Sequence, residues 1–229
     1  MASSHQYTTL ISSLPHPGVL FGATQTPLSR LKLDERLNML EEDHLRLLRR
    51  VERSLLWSHQ PIGRRDDEII DNARRLLAEV DNPLLRELVE YRLEMRTAVA
   101  ALRRRQRGED APDPRTPWGF GRWVDHIRRH WSEPAFRLQG VFPWLPRAHQ
   151  LMQEGDTLAL ERLLLDVAWQ HLGRASAGHH FDFEAVVIYL LRWSIIQRWV
   201  HYDAEIAARR FASLVDEGLG EYAELFAED

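Results

Sequence analysis

The sequence predicts an all-α protein, a multi-helix bundle of two helical lobes with long central helices and a short extended segment at the N-terminus. Three observations carry this prediction. Apolar residues recur at three- and four-residue steps through most of the chain beyond Lys32. Helix start and stop residues bracket those periodic stretches. No convincing alternation of apolar and polar residues appears after residue 20.

The elements follow in order. "YTTLISSLP" is rich in β-branched residues and partly alternates, so it reads as a short strand or an extended arm ending at Pro15 and Pro17. A turn-rich loop then runs to Pro27. Asp34 reads as the N-cap of the long periodic stretch through Trp57, with Leu37, Leu40, Leu45, Leu48, Val51 and Leu55 on one face and one step of five. "PIGRR" ends that helix. Asp66 and Asp67 open the next, placing acids at the positive end of the helix dipole. Asn82 caps a third helix with Pro83 at its first position. These two helices should form a hairpin.

"GEDAPDPRTP" carries three prolines and no apolar core residue, and marks a linker at residues 109–117. It separates an N-terminal arm and lobe, 1–108, from a C-terminal lobe, 118–229. The second lobe holds an aromatic loop, "EPAFRLQGVFPWLP", a helix from about Asp156 to Leu172, and a long helix over about 182–216. The tail is acidic.

The most apolar stretch is "AVVIYLLRWSIIQRWV", residues 185–200. A membrane-spanning helix needs about 20 mostly apolar residues. Arg192 interrupts this run, and a central arginine costs roughly 2.5–3.5 kcal/mol even on a lenient insertion scale. The periodicity of Ile188, Leu191, Ile195, Trp199 and Tyr202, widened by Val187 and Leu190, instead predicts the central helix of a soluble bundle. Its arginines should leave at the edges with packed stems.

Composition narrows the chemistry. The 229 residues are 44% hydrophobic and 28% charged, with a net charge of −4. A sizeable core is therefore expected, and the basic surplus usual in nucleic-acid binders is missing. There is no cysteine, which removes disulfides, thiolate nucleophiles and sulfur-ligated zinc. The first residues have no basic segment followed by a long apolar run, so they do not read as a secretory signal. Lys32 is the only lysine, and neither it nor "WGFGRW" sits in a phosphate-binding loop pattern. No GxSxG elbow is present.

Two clusters could hold a metal. "HIRRH" places His126 and His130 one helical turn apart, but with arginines between them; "HHFDFE" offers His179, His180, Asp182 and Glu184, where Asp182 reads more simply as an N-cap. No His-Asp dipeptide of the all-helical metal phosphohydrolases occurs. No metal or other cofactor is expected. The "RRRQRG" run reads first as a solvated helix end complementing the dipole. Arg103, Arg104, Arg105 and Arg107 are also its candidates for contact with an acidic partner. Trp118, Phe120, Trp123, Trp131, Phe142 and Trp144 read first as core, with Phe142 and Trp144 of the "VFPWLP" loop as candidate partner contacts.

The N-terminal "YTTLISSLP", the following "PLSRLKL" and the C-terminal "FDFEAVVIYLLRWSIIQRW…DAEIAARRFASLVDE" together resemble a bacterial family of unknown function encoded within V-type ATPase operons. The resemblance covers both ends of the chain, while the middle matches only in helical character. In those operons the family stands where the gene for the rotor's C-type component (d-type in eukaryotes) would be. The resemblance implies an all-helical, non-catalytic component that couples the central stalk to the membrane rotor ring for ion transport. Its partners would be other ATPase subunits. Its place would be cytoplasmic, touching the membrane only through the complex. The residues alone leave two alternatives open: a helical metal-dependent hydrolase and an unassigned helical adaptor.

Overall fold

Apolar stripes along the chain become helices joined by short turns. The computed structural model describes residues 2–55 and 66–202, and of residues 2–5, 54 and 66–69 only the backbone. In order they form α1 (Ala2–Ser13), α2 (Arg30–Leu37), α3 (Glu42–Leu55), α4 (Asp66–Glu79), α5 (Pro83–Gln106), α6 (Val124–Arg129), α7 (Leu145–Glu154) and α8 (Thr157–Ala175). A ninth helix, α9, occupies 183–202. Single 3₁₀ turns sit at Leu20–Gly22 and Pro134–Arg137. No strand occurs among the described residues, and the protein is all-α. The expected break at "PIGRR", the part of the last helix beyond 202 and the acidic tail lie outside the described residues.

The N-terminal segment corrects one expectation. It is a helix, not a strand or arm. Tyr7 and Leu10 fall three residues apart on one face and are buried, while the β-branched Thr8 and Thr9 are exposed. β-propensity is largely a preference for packing on a sheet surface. With no neighbouring strand, the apolar spacing decides.

A second correction concerns Asp34, which lies inside α2 and caps nothing. Ser29 is the N-cap, its side chain accepting from the Lys32 amide. The periodic stretch is broken at residues 38–41, where the five-residue step from Leu40 to Leu45 spans the turn. Asp34 instead accepts from Arg30 Nε at 2.9 Å and Arg49 Nη2 at 2.7 Å. Both arginines also donate to Glu52, which is only 4% exposed. The Arg30 guanidinium lies 5.8 Å from the ring centre of Trp193, whose Nε1 donates to the Leu28 carbonyl at 2.9 Å. This network ties α2 and α3 to α9.

The α4–α5 pair is as expected. Asn82 Oδ1 accepts from the Leu85 amide at 3.1 Å, with Pro83 in the first turn, and the two helices pack across a short link. Asn82 also donates through Nδ2 to Glu184 Oε1 at 2.6 Å, joining the start of α5 to the start of α9. Asp182 is the N-cap the sequence suggests, accepting from the Ala185 amide at 2.8 Å.

Helix α5 threads the fold. Leu85, Leu88, Val89 and Leu93 belong to one apolar cluster, and Met95, Ala98, Val99, Ala101 and Leu102 belong to another. The first cluster takes in α1 to α4, the second half of α8 and α9. The second takes in the aromatic segment, α6, α7 and the middle of α8. The clusters therefore share α5 and α8, and are not split at the exposed 109–117 segment. Residues 186–191 are all buried, as are Trp193, Ile195, Ile196 and Trp199, so the most apolar stretch is an internal helix. No helix among the described residues is long and apolar enough to cross a membrane.

Replacing Glu52 with Gln leaves two guanidinium groups facing a neutral amide. Arg30 and Arg49 remain about one-third exposed, at 34% and 29%, so water offsets part of the loss. Glu52→Gln should destabilise the fold by about 2 kcal/mol, read as a lower urea midpoint at unchanged m-value.

Candidate functional site

The arginine run at the end of α5 is mostly used inside the chain. Arg104 Nε donates to Glu109 Oε2 at 2.9 Å and Arg107 Nε to Glu109 Oε1 at 2.7 Å. These ion pairs, together with the last α5 carbonyls, hold the start of the Pro-rich segment against the helix end. Arg103 points into solvent. Arg105 has the most specific task. Its Nη1 donates to the Glu133 carbonyl at 2.7 Å and to the Trp131 carbonyl at 3.2 Å, and its guanidinium stacks 4.6 Å from the ring centre of Phe136.

The turn that Arg105 holds is strained. Ala135, Phe136 and Arg137 have φ of 45°, 51° and 57°, three consecutive left-handed residues without a glycine. Each costs roughly 1–2 kcal/mol. Full burial of Phe136, the Arg105 contacts and a 3.0 Å hydrogen bond between the His126 ring and the Phe136 carbonyl offset that cost. The same geometry accounts for "HIRRH": His126 Nε2 is committed to Phe136 and His130 Nδ1 to Glu133 Oε1 at 3.0 Å, so the pair anchors a turn.

Phe142 and Trp144, expected as partner contacts, are 2% and 8% exposed and belong to the second apolar cluster. This is a correction. The loop turns both rings inward, where Phe142 packs 5.7 Å from Trp144 and 6.5 Å from Trp123. Val141 is the loop's exposed apolar residue.

"WGFGRW" is a docking strap for α5. The Phe120 amide donates to Thr97 Oγ1 at 2.8 Å, and Thr97 Oγ1 donates to the Phe120 carbonyl at 3.0 Å. A Cβ on Gly119 would come within 2.6 Å of Thr97 Cγ2, and one on Gly121, where φ is +98°, within 2.4 Å of Glu94 Cγ. The glycines serve close backbone approach to a helix.

His179, Asp182 and Glu184 bring three candidate metal-ligand atoms within 4.8 Å of one another. Each already has a partner in the chain. His179 Nδ1 pairs with Asp182 Oδ2 at 2.7 Å, Asp182 Oδ1 caps α9, and Glu184 takes the Asn82 amide. Nearby, Tyr7 hydrogen-bonds His44, whose ring stacks on Phe183 at 4.4 Å. Burial, then the carboxylates of Glu41, Glu184 and Asp182, push the Tyr7 hydroxyl pKa up. These groups lock the start of α9 to α1, α3 and α5.

Sequence reasoning missed a basic region where α5, α8 and α9 meet. Arg198 Nε donates to Glu161 Oε1 at 2.7 Å. Arg92 is shifted down by burial; Glu161 opposes that shift, while Arg96 and Arg198 add to it. Arg162 lies over Phe21 and Trp199, at 4.7 and 5.4 Å. Arg192, expected to reach solvent, lies over Trp169 at 5.0 Å. Three separate helices supply this region, so no local motif announces it.

Among the described residues the chemistry does not single out one catalytic constellation; the fold is a helical scaffold in which many polar groups are paired internally. Residues 68–219 match the family described as a protein of unknown function (DUF2764). That match covers more than half of the chain, and the protein belongs to this family. No curated protein and no solved structure matches it.

Arg105→Ala removes the clamp on the left-handed turn and leaves two part-buried carbonyls without their donor. A loss of about 2–3 kcal/mol is expected, together with changed tryptophan fluorescence from Trp131; Arg105→Lys should recover only part. His171 gives a pH test. It stacks on Tyr91 at 3.7 Å, and burial, aided by Arg174, pulls its pKa down to about 4. An unfolded histidine binds its proton near pH 6.5, so between those values the unfolded state takes up more protons and stability falls as pH drops. The wild type should lose about 2 kcal/mol across that window, and His171→Phe should flatten the slope.

Proposed function

We propose that this protein is a non-catalytic, peripheral component of a V-type ATPase, resembling the C-type component of the rotor, that couples the central stalk to the membrane rotor ring during ion transport. The observation that carries the reading is the pair of end motifs. The "SLP" segment and the Tyr-Leu-Leu and Arg-Trp pairs of α9 resemble the operon-associated family. Physical features support it. A torque-transmitting part needs rigidity, and α9 is bound to α2, α3 and α5 by buried apolar contacts and by the Trp193, Asn82 and Arg30 interactions. It needs no membrane span of its own. It needs a charged surface for helical partners, and the exposed Arg162 of α8 with the part-exposed Arg198 of α9 offers one.

In this reading the partners are central-stalk and rotor-ring subunits, and the protein sits on the cytoplasmic side through the complex. Tagged protein purified from its native membranes in mild detergent should bring down rotor-ring or central-stalk subunits, identified by mass spectrometry. Recovery of neither would end the proposal. Arg162→Glu, on an exposed face, should weaken that recovery severalfold, with a greater effect at low ionic strength.

A further inference from the structure

An open groove of about 440 Å³ lies where the end of α1, the turn before Pro15 and the first turns of α2 meet. Leu28 and Pro15 form apolar walls, and Ser12, Ser29, Lys32 and Arg36 supply polar groups. The lining contains no carboxylate. Lys32 and Arg36 stand one turn apart on the same face of α2, a spacing at which like charges repel. Among the described residues neither side chain has an ion-pair partner. Their neighbours Arg30 on α2 and Arg49 on α3 are fully matched by Asp34 and Glu52.

The Arg36 side chain carries a further observation. Arg36 Nη1 is sheltered from solvent and makes no hydrogen bond, and the same holds for the hydroxyl of Tyr189, a residue 9% exposed. The fold thus supplies Arg36 with no acceptor, and its part-exposed guanidinium is left to take one from the groove. The hydroxyls add direction. Ser29 Oγ accepts from the Lys32 amide, which leaves its own proton free to donate, whereas Ser13 Oγ spends its proton on the Leu10 carbonyl. Lys32, Arg36, Ser12 and Ser29 together offer more donors than the two oxygens of a carboxylate can take. A tetrahedral anion with three or four acceptor oxygens matches them.

We propose that this groove binds a phosphate group, with Lys32 and Arg36 as its charge partners and Ser12 and Ser29 as hydroxyl donors. The site does not depend on the coupling role. A free phosphate or monoester and a phospholipid headgroup share this chemistry.

The test is calorimetric titration of the full chain with inorganic phosphate, against chloride at equal ionic strength. Alongside it runs co-sedimentation with vesicles of phosphatidylcholine with and without phosphatidic acid. Lys32 is exposed, so Lys32→Ala should keep the wild-type unfolding midpoint and weaken binding about tenfold. Arg36→Gln should weaken it further, and Arg103→Ala, at the far end of α5, should leave it unchanged. Saturable binding of phosphate that Lys32→Ala weakens supports a small-ligand site. Binding of phosphatidic acid vesicles alone, weakened in the same way, supports a headgroup site. The proposal is overturned if neither probe binds, or if Arg103→Ala weakens binding as much as Lys32→Ala, since diffuse charge would then explain the result.

Discussion

Everything in this fold is organised around α5, a 24-residue helix buried on more than one side between Leu85 and Leu102. Most helices bury one stripe against one neighbour. This one must satisfy two apolar clusters in succession, the first along Leu85–Leu93 and the second along Met95–Leu102. The consequence is visible in its side chains. The second half uses Ala98 and Ala101, both at 0% exposure, which lets neighbouring elements approach closely. The buried polar residues of this helix have partners: Thr97 holds the Phe120 backbone and Glu94 takes the Arg122 amide. Four helices, α3, α4, α7 and α8, pack on it, as does α6.

Charge is handled in two ways. Many of the described arginines are matched inside the chain: by Glu52 and Asp34 at the α2–α3 junction, by Glu109 at the end of α5, and by Glu161 between α8 and α9. Several lie over aromatic rings, as Arg105 does over Phe136, Arg162 over Phe21 and Arg192 over Trp169. A planar guanidinium can stack on a ring and bond through its edge at once, which an ammonium cannot. The near absence of lysine is therefore matched by structural work that only arginine can do. Lys32 and Arg36 depart from this pattern, and the departure is what makes their groove informative.

Among the described residues, left-handed backbone without glycine is confined to the turn at Ala135–Arg137. No feature of "EPAFR" foretells three positive φ values, because alanine, phenylalanine and arginine all favour the right-handed region. The turn exists because Phe136 must enter the second cluster while Arg105 and His126 fix the carbonyls on either side. Tertiary contacts impose that conformation on a sequence that would not choose it.

Residues read in order were enough for the all-α class, the caps at Asn82 and Asp182, the starts of α4 and α8, and the internal character of the 185–200 stretch. Those are local matters of periodicity and of side chains reaching their own backbone amides, and neighbouring residues suffice to fix them. Packing settled what remained: the N-terminal segment coils into a helix, Asp34 bridges two arginines, and Phe142 and Trp144 turn inward. Packing also brought Arg92, Glu161 and Arg198 together from three helices, and set Ser12 beside Lys32 and Arg36. The cause is the same in each case. These outcomes depend on which surface a residue meets across the fold, and that meeting is fixed by how the helices assemble around α5 rather than by any pattern along the chain.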